Sequence, residues 1–167
     1  MYKKIDQLTP KSAGYSMPPE WIEHKYCWMG WLEDELAWRG RHDDAKAAVA
    51  RLANTIAEFE PVRMLVSEDS RSEAERYCGS GIELVCMDID DGWLRDSGPT
   101  FLLNSESELA ATDWKFNGWG DMEFANWKKD RHVADSICRL LDIPCFKPDL
   151  TTEGGAIHVD GEGTVLC

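Results

Sequence analysis

Ile82-Glu83-Leu84-Val85-Cys86-Met87 is followed closely by Asp90-Asp91-Gly92-Trp93-Leu94-Arg95-Asp96-Ser97-Gly98-Pro99-Thr100-Phe101. The first run is apolar and reads as a strand. The second is a turn punctuated by glycine and proline, with three acids, an arginine and a tryptophan in it. A rigid strand that empties into a polar loop is where α/β proteins commonly place ligand chemistry. The residue types suit a planar cation such as a guanidinium. Carboxylates accept paired hydrogen bonds from it, and an indole face attracts it. The alternative is a structural turn held by a buried Asp–Arg pair.

Outward from that stretch, the pattern alternates strands and helices, so the fold class is α/β. From Asp43 to Phe59, Ala45, Val49, Leu52, Ile56 and Phe59 recur at helical spacing, with Asp43 or Asp44 as cap and Pro61 as the stop. Val62–Val66 reads as a buried strand, and Ser70–Cys78 as a short helix capped by Asp69 or Ser70. Thr100–Leu103 and Leu109–Trp114 read as a hairpin. Phe116 to Gly120 is loop. Asp130–Leu141 is helical, with Val133, Ile137, Leu140 and Leu141 on one side. Ile143–Phe146 is a short strand broken by Pro144. Glu153-Gly154-Gly155 is a turn into Ala156–Val159, and Thr164–Cys167 begins a further strand. Residues 1–41 are irregular and aromatic, and a repeated ββαβ-like unit is one organisation this order allows.

Composition removes several classes of partner. The 167 residues carry a formal net charge of −13, with no basic cluster, so neither nucleic acid nor an anionic membrane is an expected partner. An acidic surface draws in small cations. Eight tryptophans is a high count. The six cysteines form no C-x-x-C pair, and the four histidines do not join them at ligand spacing, so no metal site is expected. Cys86 and Cys138 read as small core residues. Met1–Ser12 lacks the apolar core of a signal peptide, and no apolar run approaches membrane-spanning length. The expectation is a soluble, cytoplasmic protein with reduced thiols.

Five segments in order carry a family resemblance. They are Met17-Pro18-Pro19-Glu20-Trp21, Trp28-Met29-Gly30-Trp31, Asp90 to Phe101, Trp114-Lys115-Phe116-Asn117-Gly118-Trp119-Gly120, and Glu153 to Val165. Together the chain resembles the agmatine deiminase family, which includes the bacterial-type peptidylarginine deiminases. The resemblance implies part of a five-bladed α/β propeller, the pentein, built of ββαβ-type units around a central pocket. Residues 1–167 would then be the amino-terminal part of a single catalytic domain, truncated at the carboxyl end. It also implies hydrolysis of agmatine to N-carbamoylputrescine and ammonia, a step in making putrescine, without an organic cofactor or metal. A cysteine thiolate attacks the guanidinium carbon, ammonia leaves, and water hydrolyses the thiouronium intermediate while a histidine handles the protons.

Residue by residue, the carry-over is partial. Asp96 matches the first guanidinium-gripping acid, and Trp93 the aromatic that walls the pocket. Glu153 is a weaker candidate for facing the substrate. The family's histidine and second acid lie in a Gly-His-x-Asp-type motif, and its nucleophile in Gly-Gly-Gly-x-Ile-His-Cys; neither motif occurs here. Glu153–Val159 resembles a sister copy of the nucleophile motif with Val159 in the cysteine's slot. His158 is therefore read as structural, satisfying a buried hydrogen bond, and Cys167 as no nucleophile.

The implied partner is a small cationic guanidine, agmatine; a homo-oligomer is left open. One rival is a deiminase of peptidyl or free arginine, whose pocket would want a positive group near its mouth. A second is a non-catalytic, cation-binding remnant whose exposed strand edges favour self-association. A third, a tryptophan-rich carbohydrate module, explains the aromatics but not the ordered motifs.

Overall fold

The computed structural model describes residues 1–123 and 126–167. Among the described residues, ten short strands and five α-helical segments, besides short 3-10 turns, follow in the order β1 (Lys3–Ile5), β2 (Tyr15–Ser16), β3 (Cys27–Gly30), α1 (His42–Ile56), β4 (Val62–Val66), α2 (Arg71–Tyr77), β5 (Ile82–Cys86), α3 (Leu94–Ser97), β6 (Thr100–Asn104), β7 (Leu109–Thr112), α4 (Gly118–Asp121), α5 (Val133–Leu140), β8 (Pro144–Phe146), β9 (His158–Val159) and β10 (Val165–Leu166). They divide into two compact units.

One unit comprises residues 23–94 and 121–130. Its three strands run parallel in the order β3-β4-β5, with Met29 opposite Met64 and Met64 opposite Leu84. Parallel strands need long crossovers, and α1 and α2 supply them. Val62–Val66 matches the strand expected from its continuous apolar run. The helix side of the sheet closes over Trp31, Ala50, Ala53, Val62, Met64, Val66 and Ala74. Within α1 the inward line is Lys46, Ala50 and Ala53, spaced by four and three. Leu52 and Phe59, expected on the apolar face, are exposed. Small alanines let the helix lie close to the sheet, and Leu52 is turned about half a revolution from Ala50. Nor do Asp43 and Asp44 cap the helix. Arg41 takes the capping position without a side-chain bond, and the two acids sit inside the first turn, where the helix dipole favours them. Lys46 Nζ reaches Glu73 Oε2 at 2.6 Å and ties α1 to α2.

The other unit comprises residues 1–22, 95–120 and 131–167. Its five-stranded sheet has the order β1-β8-β7-β6-β2. Strands β6 and β7 form the expected hairpin, with Leu102 opposite Ala110. Helix α5 then carries the chain to β8, which runs parallel to β7 with Ala111 opposite Cys145. This is a ββαβ arrangement. Pro144 opens β8, the position in a strand that tolerates a missing N–H. Helix α5 buries Val133, Ala134, Ile137 and Cys138, whereas Leu140 is exposed. Cys138 and Cys145 pack with Ala111 and Ile143 on that side, and Phe146, Leu102 and Ala110 pack on the other. Cys86, by contrast, lies at the end of β5 and is exposed. Strands β9 and β10 form a separate antiparallel pair.

An ion network ties the amino terminus of this unit to its helix. Lys147 Nζ lies 2.9 Å from Asp113 and 2.5 Å from Asp135. Asp135 also accepts from the Tyr2 hydroxyl at 2.5 Å and from Arg139 Nε at 2.7 Å. Burial works against charge here, yet the bonds from Lys147, Tyr2 and Arg139 hold Asp135 well below the usual carboxylate range. Burial and the Asp135 carboxylate push Tyr2 up to about 12. Asp113, Asp135 and Cys145 have the donor types of a metal cluster, but the Lys147 ammonium already lies against both carboxylates.

Lys147→Met removes the cation shared by Asp113 and Asp135 and leaves Asp135 with Arg139 as its ion-pair partner. The expected loss is about 2–3 kcal/mol at pH 7, below the ~3–5 kcal/mol for a fully buried pair because the Lys147 side chain is 23% exposed. Urea unfolding reads it. The deficit narrows as pH falls toward 4, because the orphaned acids of the variant take up protons.

Candidate functional site

The signature loop crosses from one unit to the other. Residues up to Leu94 belong to the first and Arg95 onward to the second, so Trp93 closes one unit and Asp96 opens the other.

On the Trp93 side, the loop is held by buried acids. Asp130, 2% exposed, accepts the backbone N–H of Asp90 at 2.7 Å and of Asp91 at 3.1 Å. Asp90 in turn accepts the Lys129 N–H at 2.8 Å. Asp91 is equally buried, accepts the Gly92 N–H at 2.7 Å, and receives a bond from the Trp93 side chain. Two of the three acids in the loop therefore hold the loop itself. Gly30 and Gly92 allow a close approach: a Cβ on Gly30 would lie 2.8 Å from Gly92 Cα. The Trp93 ring stacks on Trp38, with centroids 6.4 Å apart and planes 19° apart, and stays 52% exposed.

These acids have unusual proton affinities. Burial pushes Asp130 up to about 6 against its two backbone bonds, and the charges of Asp90 and Asp91 add to the rise. Burial raises Asp91 as well, with Asp34 and Asp90 contributing.

On the Asp96 side, four of the five resembling segments meet. Asp96 is half-buried, and its Oδ2 accepts the Trp119 indole N–H at 3.1 Å. Gly155 lies flush against Asp96: an added Cβ would collide with Oδ1. A Cβ on Gly154 would collide with the Arg95 carbonyl oxygen, so the Glu153-Gly154-Gly155 turn lies directly on Arg95-Asp96. Arg95 pairs with Glu20 rather than with a buried aspartate. Gly161, with φ of 77°, packs on Pro19. Trp114 Nε1 donates to Thr100 Oγ1 at 2.8 Å.

Glu153 is half-exposed at the start of the turn Gly154–Ala156 and makes no side-chain cap. It stands two residues from the glycine that touches Asp96. His158 is exposed on β9, so the buried hydrogen bond expected of it is not formed. Trp119, Asp130 and Trp38 were not singled out by sequence reasoning. For Trp119 a signal existed, a large aromatic between two glycines.

No thiol whose proton affinity moves is activated. Burial raises Cys27 and Cys78, the Glu68 carboxylate raises Cys86, and contact with Cys145 followed by burial raises Cys138.

Known proteins share this architecture. The family model described as Porphyromonas-type peptidyl-arginine deiminase matches residues 16–167. A Legionella pneumophila protein named "Putative agmatine deiminase" is 43% identical over 159 residues, 94% of this chain and 45% of that protein. A Streptomyces avermitilis protein of the same name is 42% identical over 160 residues, 95% of this chain and 46% of that one. The solved agmatine deiminase of Enterococcus faecalis matches with a TM-score of 0.92 at 34% identity, over 98% of this chain and 46% of that one. The mixed α/β architecture is thus that of the pentein fold. The chain spans less than half the length of each of these relatives.

Asp130 sets a pH dependence. Its folded proton affinity is raised to about 6, so its contribution is full below the unfolded value near 4 and is lost as pH rises through 6. Thermal melts are expected to show stability falling from pH 5 to pH 7, and Asp130→Asn to remove that slope. Gly155→Ala is expected to displace the Asp96 carboxylate, seen as a shift of the Trp119 indole resonance with the fold retained.

Proposed function

The chain belongs to the Porphyromonas-type peptidyl-arginine deiminase family, and from that we propose that it provides the guanidinium-gripping side of an agmatine deiminase. Asp96 grips the guanidinium nitrogens through paired hydrogen bonds. Trp93 presents its exposed ring as an aromatic wall, and Glu153 is a further acid at the turn that lies on Arg95-Asp96. The reaction is agmatine plus water to N-carbamoylputrescine and ammonia, in the direction of putrescine.

The observation that carries this reading is the Asp96 carboxylate. It is a partly exposed acid of the signature loop that accepts from a neutral indole donor, and among the described residues no ion pair to it is found. Its charge is therefore available to a ligand. Arg95 beside it pairs with Glu20, which offsets the charge it would otherwise turn toward a substrate carboxylate. That favours agmatine over arginine, because agmatine has no carboxylate to satisfy.

The covalent steps require groups beyond those of this chain. The thiolate that attacks the guanidinium carbon, the histidine that moves the protons and the second acid come from residues that do not match here. Asp96 orients the carbon and holds the positive charge while ammonia departs. The chain is thus read as the amino-terminal part of one catalytic domain, a five-bladed propeller acting in the cytoplasm. Among the described residues, no helix is long and apolar enough to cross a membrane.

Calorimetric titration with agmatine, run beside an ammonia assay, tests the proposal. Agmatine is expected to bind the 167-residue chain, with affinity at least tenfold weaker in Asp96→Asn and weakened in Trp93→Ala. No ammonia is expected. Binding unchanged in Asp96→Asn would overturn the grip, and carbamoylputrescine formed by the purified chain would overturn the need for outside groups.

A further inference from the structure

We propose that Trp119 is the positioning residue for Asp96, the group that fixes which way the gripping carboxylate faces. The purpose of that positioning rests on the guanidinium reading above; its geometry does not. An indole has a single N–H, and that of Trp119 goes to Asp96 Oδ2 at 3.1 Å. Gly155 closes on Oδ1 from the other side. Rotation of the carboxylate would break the first contact or force it into the second, so its plane is set.

The segment around Trp119 is built to deliver that bond. Gly118, Trp119 and Gly120 have φ values of 63°, 56° and 92°. A run of left-handed residues is uncommon, and for a bulky side chain it is a conformational outlier. Such strain persists only where surroundings impose it, and it concentrates at functional sites. Here Asn117 and Phe116 impose it. Asn117 Oδ1 accepts the Gly120 N–H at 3.0 Å, and the Trp119 ring meets the buried Phe116 edge-on at 5.1 Å and 89°. The ring is anchored at one end and the backbone at the other.

The choice of an indole is chemically apt. A lysine or arginine in its place would orient the acid but neutralise it and compete with a guanidinium for its oxygens. The indole donates without carrying charge.

The experiment uses the intact chain labelled with nitrogen-15, followed through its indole N–H resonances. Trp119→Phe identifies the Trp119 signal. Asp96→Asn is expected to shift that signal more than any other indole except that of Trp93, and an unmoved signal overturns the proposal. Agmatine is then titrated into wild type and Trp119→Phe. Affinity is expected to fall about tenfold in the variant while its thermal midpoint stays near that of wild type. Equal affinity overturns the proposal, as does a loss of affinity matched by global unfolding. If Asp96→Asn moves the signal but agmatine binds neither protein, the positioning of Asp96 stands and the guanidinium reading falls. Trp119→His, which restores a donor, is expected to recover part of the lost affinity.

Discussion

A buried carboxylate that accepts backbone N–H groups organises the first half of the signature loop. Asp130 holds the N–H groups of Asp90 and Asp91, Asp91 holds those of Gly92 and Trp93, and Trp93 leans on Trp38. Each link satisfies a donor that burial would otherwise leave stranded. The cost appears as raised proton affinity, because burial disfavours the charged form and the neighbouring acids add to it. An arrangement of this kind makes a loop rigid without secondary structure, and rigidity is what an aromatic wall needs. The second half of the loop is organised by contact rather than charge, through the Gly154-Gly155 turn lying on Arg95-Asp96.

Much of this was legible in the residues. Val62–Val66, the β6–β7 hairpin and the span of α1 follow from apolar runs, alternation and helical spacing. The ordered motifs pointed to Asp96 and to a two-glycine turn that the structure lays against it. Other features were not legible, for physical reasons. Helical spacing identified α1 but not which stripe of it faces inward, since Ala50 and Ala53 present little hydrophobic signal while Leu52 and Phe59 present much. Leu140 misled in the same way. Asp43 and Asp44 looked like caps because acids favour both the cap and the first turn, and sequence does not separate the two. Strands β1 and β2 are too short to show a period.

The acids of the loop show a further limit. Asp90, Asp91 and Asp96 are alike as letters, yet the first two accept backbone N–H groups and the third accepts an indole N–H. What separates them is Asp130, forty residues downstream of Asp90 and joined to it through long-range hydrogen bonds. No local pattern carries that information. His158 is the opposite case, a residue that looks chemical in its motif and stands exposed on a two-residue strand.

Two glycines near Asp96 are required for different reasons. At Gly120 an added Cβ would meet nothing within 4 Å, but the backbone has a φ of 92°. The demand there is one of handedness, and a mirror-image alanine would meet it. At Gly155 the added atom would land on the carboxylate itself, so the demand is for an empty volume. The wall around Asp96 thus combines a chiral constraint on one side with an excluded-volume constraint on the other, and a redesign of the pocket could relax the first by backbone chemistry while leaving the second in force.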